Sequence, residues 1–556
     1  MNEYLASLVD ELYQMGMRHV VVSPGSRSTA LAILCKAYDG LVLHRNLDER
    51  SAAFFALGLA KASHTPVGLI CTSGSAMAHY GPALTEAYHS RIPLVALTAD
   101  RPPELRDCGA PQTINQNQMY LSFFVHTEEL AIPSEEIAYT YPRQVARRAY
   151  LKAVADSRPV QINIPLREPL VPAMDKDIFS LGRGMRVFQI LRGEKAVSFD
   201  YTQLRDKKGL LLCGPDAMNT YQDLILETAH RLHAPIVADP LSNMRMVSDY
   251  YLLDSYDAFL QVKSQWDLLK PDYVIQFGQI PVSKRVQQFL ANFDSLYIQV
   301  DEEGEDRNPA HTTTTVLLAS PKTFCQGLLE AMPVEERSPE VTSYLEAWHY
   351  CQERARARLQ EIDKEEGLVE GQIVRLLQKG LPKKSHILVA NSMSIRYFDY
   401  YWEAQPNAIH LWGNRGVNGI DGTLSTALGM SVIHRPMIMV TGDLSFLHDL
   451  NGCIAGSMED LSLTVVLFNN DGGGIFQYLP QKKHPYFTDL FATPHGLDFS
   501  AVAPLMHVDY TRIDAADDFL SILSKYIGQK GIHIIEIPTN QEASCLIHKK
   551  YTRLDG

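Results

Sequence analysis

Apolar residues recur at helical spacing at Leu5, Leu8, Val9, Leu12 and Met15, and Gly16 follows as a stop. The run His19–Val22 then predicts a short buried strand that ends in the polar turn Ser23-Pro24-Gly25-Ser26-Arg27-Ser28-Thr29. The alternation continues with a helix over residues 51–61, a strand over 67–72, a helix over 76–88 and a strand over 94–99. Strands that alternate with helices build parallel βαβ units, because a parallel neighbour needs a crossover long enough to hold a helix. Further strands at 209–213, 236–238, 273–277 and 296–300 place another α/β region in the middle of the chain.

The beginning and the end of the chain echo one another. Ala56-Leu57-Gly58, Pro66, a strand, Thr72-Ser73-Gly74, a helix and the strand at 93–99 reappear as Ala427-Leu428-Gly429, Pro436, a strand, Thr441-Gly442-Asp443, a helix and the strand at 463–469. Two similar α/β domains at the two ends are the natural inference. Residues 170–205 and 332–350 lose periodicity and mix charge with Pro and Gly, which predicts linkers. The reading is three doubly wound parallel-sheet α/β domains, at residues 1–180, 190–340 and 355–556.

Composition narrows the class of protein. With 556 residues, 46% apolar and 21% charged, the chain is ordinary for a globular protein, and disorder and low complexity are excluded. The longest apolar runs, such as 463–468, are strand-sized and far from the ~18 residues of a membrane span. No basic stretch followed by an apolar one opens the chain, and none of the eight cysteines forms a C-x-x-C pair. The expectation is a reduced cytoplasmic protein. A net charge of −13 argues against nucleic acid as a partner but leaves room for small anions held by local arginines. Cys213-Gly214-Pro215-Asp216 does not have the spacing of a nicotinamide-binding turn.

Gly442-Asp443 follows one predicted strand, and Asn469-Asn470-Asp471-Gly472 follows the next, with Asn470 27 residues beyond Asp443. Both segments leave the carboxyl edge of a parallel sheet, where ligands bind. Asp443 and Asn470 offer one carboxylate and one amide oxygen, and a glycine turn exposes backbone carbonyls. Such a hard-oxygen set suits Mg²⁺ shared with phosphates. A helix starting after Gly442 would turn its N–H groups toward those phosphates. Taken singly, Asp443 also reads as a helix cap and Asn470 as a turn residue; their spacing across one βαβ unit favours a site.

Gly-Asp, about 27 residues and Asn-Asn resembles the fingerprint of the thiamine diphosphate-dependent carboligases and decarboxylases, the acetohydroxyacid synthase and pyruvate decarboxylase superfamily. Glu49, Ala52-Ala53, Gly58, Pro66 and Thr72-Ser73-Gly74 look like its pyrimidine-binding domain. Leu444 stands where many members have a second glycine. The longer stretches 23–29, Leu47-Asp48-Glu49-Arg50, Thr98-Ala99-Asp100-Arg101-Pro102-Pro103-Glu104-Leu105, Asn414-Arg415-Gly416, Gly419-Ile420-Asp421-Gly422 and Gly442-Asp443-Leu444-Ser445 resemble the branch that serves menaquinone biosynthesis, in which Leu444 is in keeping with the pattern.

The resemblance implies pyrimidine-binding, central and diphosphate-binding domains. It implies thiamine diphosphate with Mg²⁺ (Mn²⁺ as the alternative ion) held by Asp443, Asn470 and Gly472. Gly442, Leu444 and Ser445 lie against the cofactor, Ile420 bends it, and Glu49 protonates its pyrimidine N1′. The implied reaction is decarboxylation of 2-oxoglutarate and conjugate addition of the succinyl carbanion equivalent to isochorismate. Both substrates are dicarboxylates and call for forked cations. By resemblance these are Arg27, Arg101, Arg396 and Arg415, with Lys284 and Arg285 from the central domain and neutral hydrogen bonds from Ser26, Gln112 and Ser392. Ile475 and Phe476 form an apolar wall against water. None of the 19 histidines has metal-ligand spacing, and none takes a role. The family pattern also implies a homodimer or homotetramer with active sites at the subunit interface. Two alternatives stay open: another carboligase on the same fold, such as an acetolactate synthase, and a cofactor-binding paralogue without activity, against which Glu49, Asp443 and Asn470 speak.

Overall fold

The computed structural model describes residues 2–174, 177–184, 190, 193, 197–215 and 221–554. Asp216 and parts of the 170–205 stretch lie outside the described residues.

Three six-stranded sheets follow one another along the chain, and every strand pair in them is parallel. The first holds β1 (His19–Val22), β2 (Val42–Arg45), β3 (Val67–Cys71), β4 (Leu94–Asp100), β5 (His126–Glu129) and β6 (Val160–Pro165), in the order β2-β1-β3-β4-β6-β5. The second holds β7 (Gly209–Cys213), β8 (Ile236–Ala238), β9 (Leu252–Leu253), β10 (Tyr273–Phe277), β11 (Leu296–Val300) and β12 (Thr315–Leu317), in the order β12-β11-β10-β7-β8-β9. The third holds β13 (His386–Val389), β14 (His410–Trp412), β15 (Met437–Gly442), β16 (Ser462–Asn469), β17 (Asp509–Arg512) and β18 (Gly531–Pro538), in the order β14-β13-β15-β16-β18-β17. The first and third sheets thus have the same topology, which supports the echo read between the two ends of the sequence. Inner strands such as β4 and β7 are buried along their whole length because helices cover both faces, which is why their sequences are continuous apolar runs rather than alternating ones.

The echoed glycines have a packing reason. The Glu49–Ser63 helix of the first domain crosses the Thr423–Ser431 helix of the third, and one apolar core holds side chains from both domains. A Cβ on Gly58 would lie 1.9 Å from the Thr426 carbonyl oxygen, and one on Gly429 would lie 2.0 Å from that of Phe55. Only glycine permits backbones to approach this closely.

Two local predictions change. The helix read over 76–88 is a 3₁₀ turn, Gly74–Tyr80, followed by an α-helix, Gly81–His89, that restarts at Pro82, a residue with no N–H to continue the preceding turn. Residues 339–350, which the sequence reads as linker, are the first half of the Pro339–Gln360 helix. Ser338 caps it, and Val341, Tyr344, Leu345 and Trp348 bury one face. Residues 177–184, likewise read as linker, fold back on the first domain: Ile178 is buried, and the Leu181 carbonyl accepts from Ser7 and Arg143.

Candidate active site

Nearly all the residues singled out in the sequence lie just beyond the carboxyl ends of strands, where the parallel sheets open into loops. They fall into three groups.

The first group surrounds Asp443. This residue begins the Asp443–His448 helix directly after β15 and is 2% exposed. Its Oδ2 accepts the backbone N–H of Gly472 at 2.8 Å and of Asn470 at 3.2 Å, and its Oδ1 accepts that of Leu444 at 2.7 Å. Burial pushes the carboxyl above its ordinary range, while these N–H groups and the His495 ring pull the other way. The Asn470 side-chain oxygen is buried with no partner. Gly472 has φ +128°, and a Cβ there would lie 2.1 Å from the Ala492 carbonyl oxygen, so the turn is closed to any other residue. A buried carboxylate, an orphaned amide oxygen and a glycine carbonyl could together hold one hard divalent cation. Among the described residues no cluster of three or more His, Cys, Asp or Glu side chains could do so. Ser445 donates to the Ile420 carbonyl at 2.9 Å, which ties the Ile420 loop to the same helix. Ile475 packs against the core beside this group, and Phe476 pairs with Phe491 at 5.6 Å between ring centroids.

The second group joins the loops after β1, β3 and β4. Arg101 donates to the Gln112 carbonyl at 2.9 Å and to the Ser73 hydroxyl. Gln112, at φ +60°, returns a bond from its amide to the Ser73 carbonyl at 3.2 Å. Arg27 donates to the Leu166 carbonyl at 3.0 Å, and burial and then the charge of Arg101 lower its pKa. Ser26 is exposed beside it. Glu49, half-buried, opens the Glu49–Ser63 helix after Asp48, whose side chain caps the Ser51 N–H at 3.0 Å. Burial pushes the Cys71 thiol up to about 12, and the nearby Glu49 carboxylate adds to the rise. Ala52 and Ala53 in this helix are buried, but Leu47 is 53% exposed, so one wall around Glu49 is open within a single chain.

The third group lies where the central and last domains meet. Ser392, strained at φ +66°, turns its carbonyl to the Arg396 guanidinium. Arg415 donates to the Asn391 side-chain oxygen, and the Asn391 amide holds the Asn414 and Gly419 carbonyls at 2.8 and 2.6 Å. Burial lowers the pKa of both arginines. Lys284, exposed, and Arg285 open the Lys284–Leu290 helix after β10. Asp257, buried beneath them, accepts from Ser283 and Tyr400; burial raises its carboxyl, and the fields of Arg285 and Arg396 oppose that rise.

Sequence reasoning missed several members of these groups. Ser73 was within reach as part of Thr72-Ser73-Gly74, and Asn391 as the neighbour of Ser392. Asp257 and His495 carried no local signal. His495 Nδ1 accepts the Leu497 N–H at 3.0 Å, which leaves the proton on Nε2, 3.4 Å from Asp443. One histidine therefore supports the site, where the sequence gives none a role.

Comparison with known proteins gives the family. Residues 3–119 match the family described as thiamine pyrophosphate enzyme, N-terminal TPP binding domain; residues 191–389 match the middle domain; residues 391–537 match the C-terminal TPP binding domain. A protein of Lactococcus lactis subsp. cremoris named 2-succinyl-5-enolpyruvyl-6-hydroxy-3-cyclohexene-1-carboxylate synthase is 48% identical over the whole of both chains. A protein of the same name from Desulfitobacterium hafniense is 46% identical, again over the whole of both. Among solved structures, benzoylformate decarboxylase from Polynucleobacter necessarius shares the fold, with a TM-score of 0.71 at 18% identity, covering 98% of this chain and 99% of that one. With three matched domains in this order and full-length relatives of one name, the chain belongs to the thiamine pyrophosphate enzyme family and, within it, to the 2-succinyl-5-enolpyruvyl-6-hydroxy-3-cyclohexene-1-carboxylate synthases.

Proposed function

We propose that this thiamine diphosphate-dependent transferase decarboxylates 2-oxoglutarate and adds the succinyl carbanion equivalent to isochorismate, giving 2-succinyl-5-enolpyruvyl-6-hydroxy-3-cyclohexene-1-carboxylate for menaquinone biosynthesis. The observation that carries this reading is the pair of arginine groups at the carboxyl edges of the sheets, Arg27 with Arg101 and Arg285 with Arg396 and Arg415. Two dicarboxylates bring four negative charges into a partly dry pocket, and each needs a cationic or multiply hydrogen-bonded partner. A pyruvate-specific enzyme would need fewer.

In this reading Asp443, the Asn470 side-chain oxygen and the Gly472 carbonyl hold Mg²⁺, or Mn²⁺ in its place, against the diphosphate; the unpartnered Asn470 oxygen supports the fit. Gly442, Leu444 and Ser445 would line the diphosphate site, and Ile420 would be the apolar residue that keeps the cofactor bent. Thiamine diphosphate, when bound, supplies the nucleophilic carbon and the electron sink for loss of CO₂. Glu49 would supply the carboxyl group that acts as acid at the pyrimidine N1′. Arg27, Arg101, Arg285, Arg396 and Arg415, with Lys284, orient the substrate carboxylates, and Ser26, Gln112 and Ser392 add neutral hydrogen bonds. Ile475 and Phe476 exclude water from the reacting carbon.

A homodimer, or a tetramer built from dimers, completes each site in this proposal, with Glu49 of one subunit facing the Asp443 group of the other. The exposed Leu47 beside Glu49, Val417 beside Arg415, and Leu490 and Leu497 beyond Gly472 are apolar surfaces that a second copy would cover. The domain limits 1–180, 190–340 and 355–556 and a cytoplasmic location belong to the same proposal. None of the eight cysteines is in a disulfide, and no helix among the described residues is long and apolar enough to cross a membrane.

The direct test is CO₂ release from 2-oxoglutarate with and without isochorismate, with mass analysis of the product. The expected result is release accelerated by isochorismate and a product that contains both carbon skeletons. Acetolactate formed from pyruvate as the main product would overturn the assignment.

A further inference from the structure

Arg415 sits in a loop, not in a helix or strand, yet it must present its guanidinium to a carboxylate with little positional error. Two buried charges of the first domain grip the loop from either side. Lys61, near the end of the Glu49–Ser63 helix and 3% exposed, donates to the Gly413 carbonyl at 2.6 Å and to the Asn414 side-chain oxygen at 2.8 Å. Glu86, in the Gly81–His89 helix and 2% exposed, accepts the backbone N–H of Gly416 and of Val417, each at 2.9 Å. Its Oε1 also accepts the Ser90 hydroxyl at 2.6 Å. The residues on both sides of Arg415 are thus tied to another domain, and Arg415 itself is left to reach Asn391.

The seat is tight. A Cβ on Gly416 would lie 2.6 Å from the Glu86 carbonyl oxygen and 2.9 Å from the Ser90 nitrogen. A cavity of about 40 Å³ beside the loop is lined by Lys61, Ser90, Leu241, Gln279, Trp412 and Arg415. Burying a lysine and a glutamate is costly unless their hydrogen bonds are satisfied, and here those bonds, apart from the one from Ser90, are made to one five-residue segment. Burial lowers the Lys61 pKa to about 8, and the field of Glu86 opposes that fall.

We propose that Lys61 and Glu86 are positioning residues for Arg415: the first domain sets, through the backbone at 413–417, the substrate affinity of an arginine carried by the third. The inference rests on the proposed role of Arg415 in holding a substrate carboxylate.

The test is steady-state kinetics of Lys61→Met, Glu86→Gln and Arg415→Ala, alone and combined, with KM measured for 2-oxoglutarate and for isochorismate and cofactor affinity measured by calorimetry. Each positioning variant should raise the KM of one substrate about tenfold or more, since small misplacements of a binding group are costly. It should change kcat less than about threefold and leave thiamine diphosphate affinity unchanged. In the Arg415→Ala background the same substitutions should add less than about a twofold effect, because the group they position is gone. Glu86→Gln keeps the side chain's shape and one acceptor oxygen, so it reads out the proposal even where Lys61→Met does not fold. Fully additive losses, or lower kcat and yield at unchanged KM, would overturn the inference while Arg415→Ala remains impaired. Wild-type kinetics in Arg415→Ala would overturn this inference together with the reading of the site.

Discussion

Asn470 gives its backbone N–H to the Asp443 carboxylate at 3.2 Å, while its own side-chain oxygen stays buried with no partner. The first residue is thereby fixed by the second with its amide oxygen free to ligate. Asp443→Ala removes both the proposed ligand and the acceptor that sets the 470–472 turn. It should weaken thiamine diphosphate binding in the presence of Mg²⁺ at least about 100-fold, with the circular dichroism spectrum unchanged. Titration calorimetry checks this, and affinity that is unchanged even with EDTA present would refute the metal site.

Glu49→Gln keeps the size and hydrogen-bonding reach of the side chain but cannot hold or pass the proton. Cofactor affinity should stay the same, while exchange of the thiazolium C2 proton slows by about 10²-fold or more. NMR of quenched exchange measures it directly; exchange at the wild-type rate would remove Glu49 from the mechanism.

Arg396→Ala and Arg415→Ala each delete a half-buried cation expected to meet a substrate carboxylate, a loss of about 2–5 kcal/mol. Both should lower kcat/KM roughly 30-fold or more without changing cofactor affinity. The same charge arrangement predicts a strong preference for 2-oxoglutarate over pyruvate as donor. Comparable kcat/KM for the two donors, with isochorismate as acceptor, would place the chain with a different reaction.

Three imidazoles stack at the amino edge of the third sheet, opposite the site. His386 lies 3.7 Å from His434 and 4.9 Å from His410 between ring centroids, and the Trp412 indole donates to His386 at 3.1 Å. Burial first, and then the neighbouring rings, lower His386 from its ordinary 6.5 to about 3 and His434 to about 4. The unfolded chain takes up protons as pH falls below about 6.5, but the folded stack does not, so stability is full above that pH and is lost as pH falls toward 4. Each group contributes at most about 1.4 kcal/mol per pH unit, less where its ring is partly exposed. His434→Phe keeps a stacked ring without the titration and should flatten the fall of Tm across this window. The difference between the two proteins cancels groups common to both, such as Asp449, whose carboxyl burial pushes up to about 6. Equal slopes would refute the role of the stack.

The alternation of buried strands and helices was legible in the sequence because inner parallel strands need continuous apolar runs, as in β4 and β7. The juxtaposition of Asp443 and Asn470 was legible too, since they lie at the ends of neighbouring strands of one βαβ unit and their spacing follows from that unit alone. The long helix over Pro339–Gln360 was not, because charged residues crowd its other faces and mask the stripe of Val341, Tyr344, Leu345 and Trp348, which stands out only where it meets a core built from two domains. His495 meets Asp443 across 52 positions, and Lys61 and Glu86 meet the Arg415 loop across more than 300. Local sequence carries propensity, patterning and short-range spacing. Which arginines share a pocket, and which buried charges hold them, was decided only when helices from opposite ends of the chain packed backbone to backbone at Gly58 and Gly429. Contacts at that separation depend on how whole domains fit together.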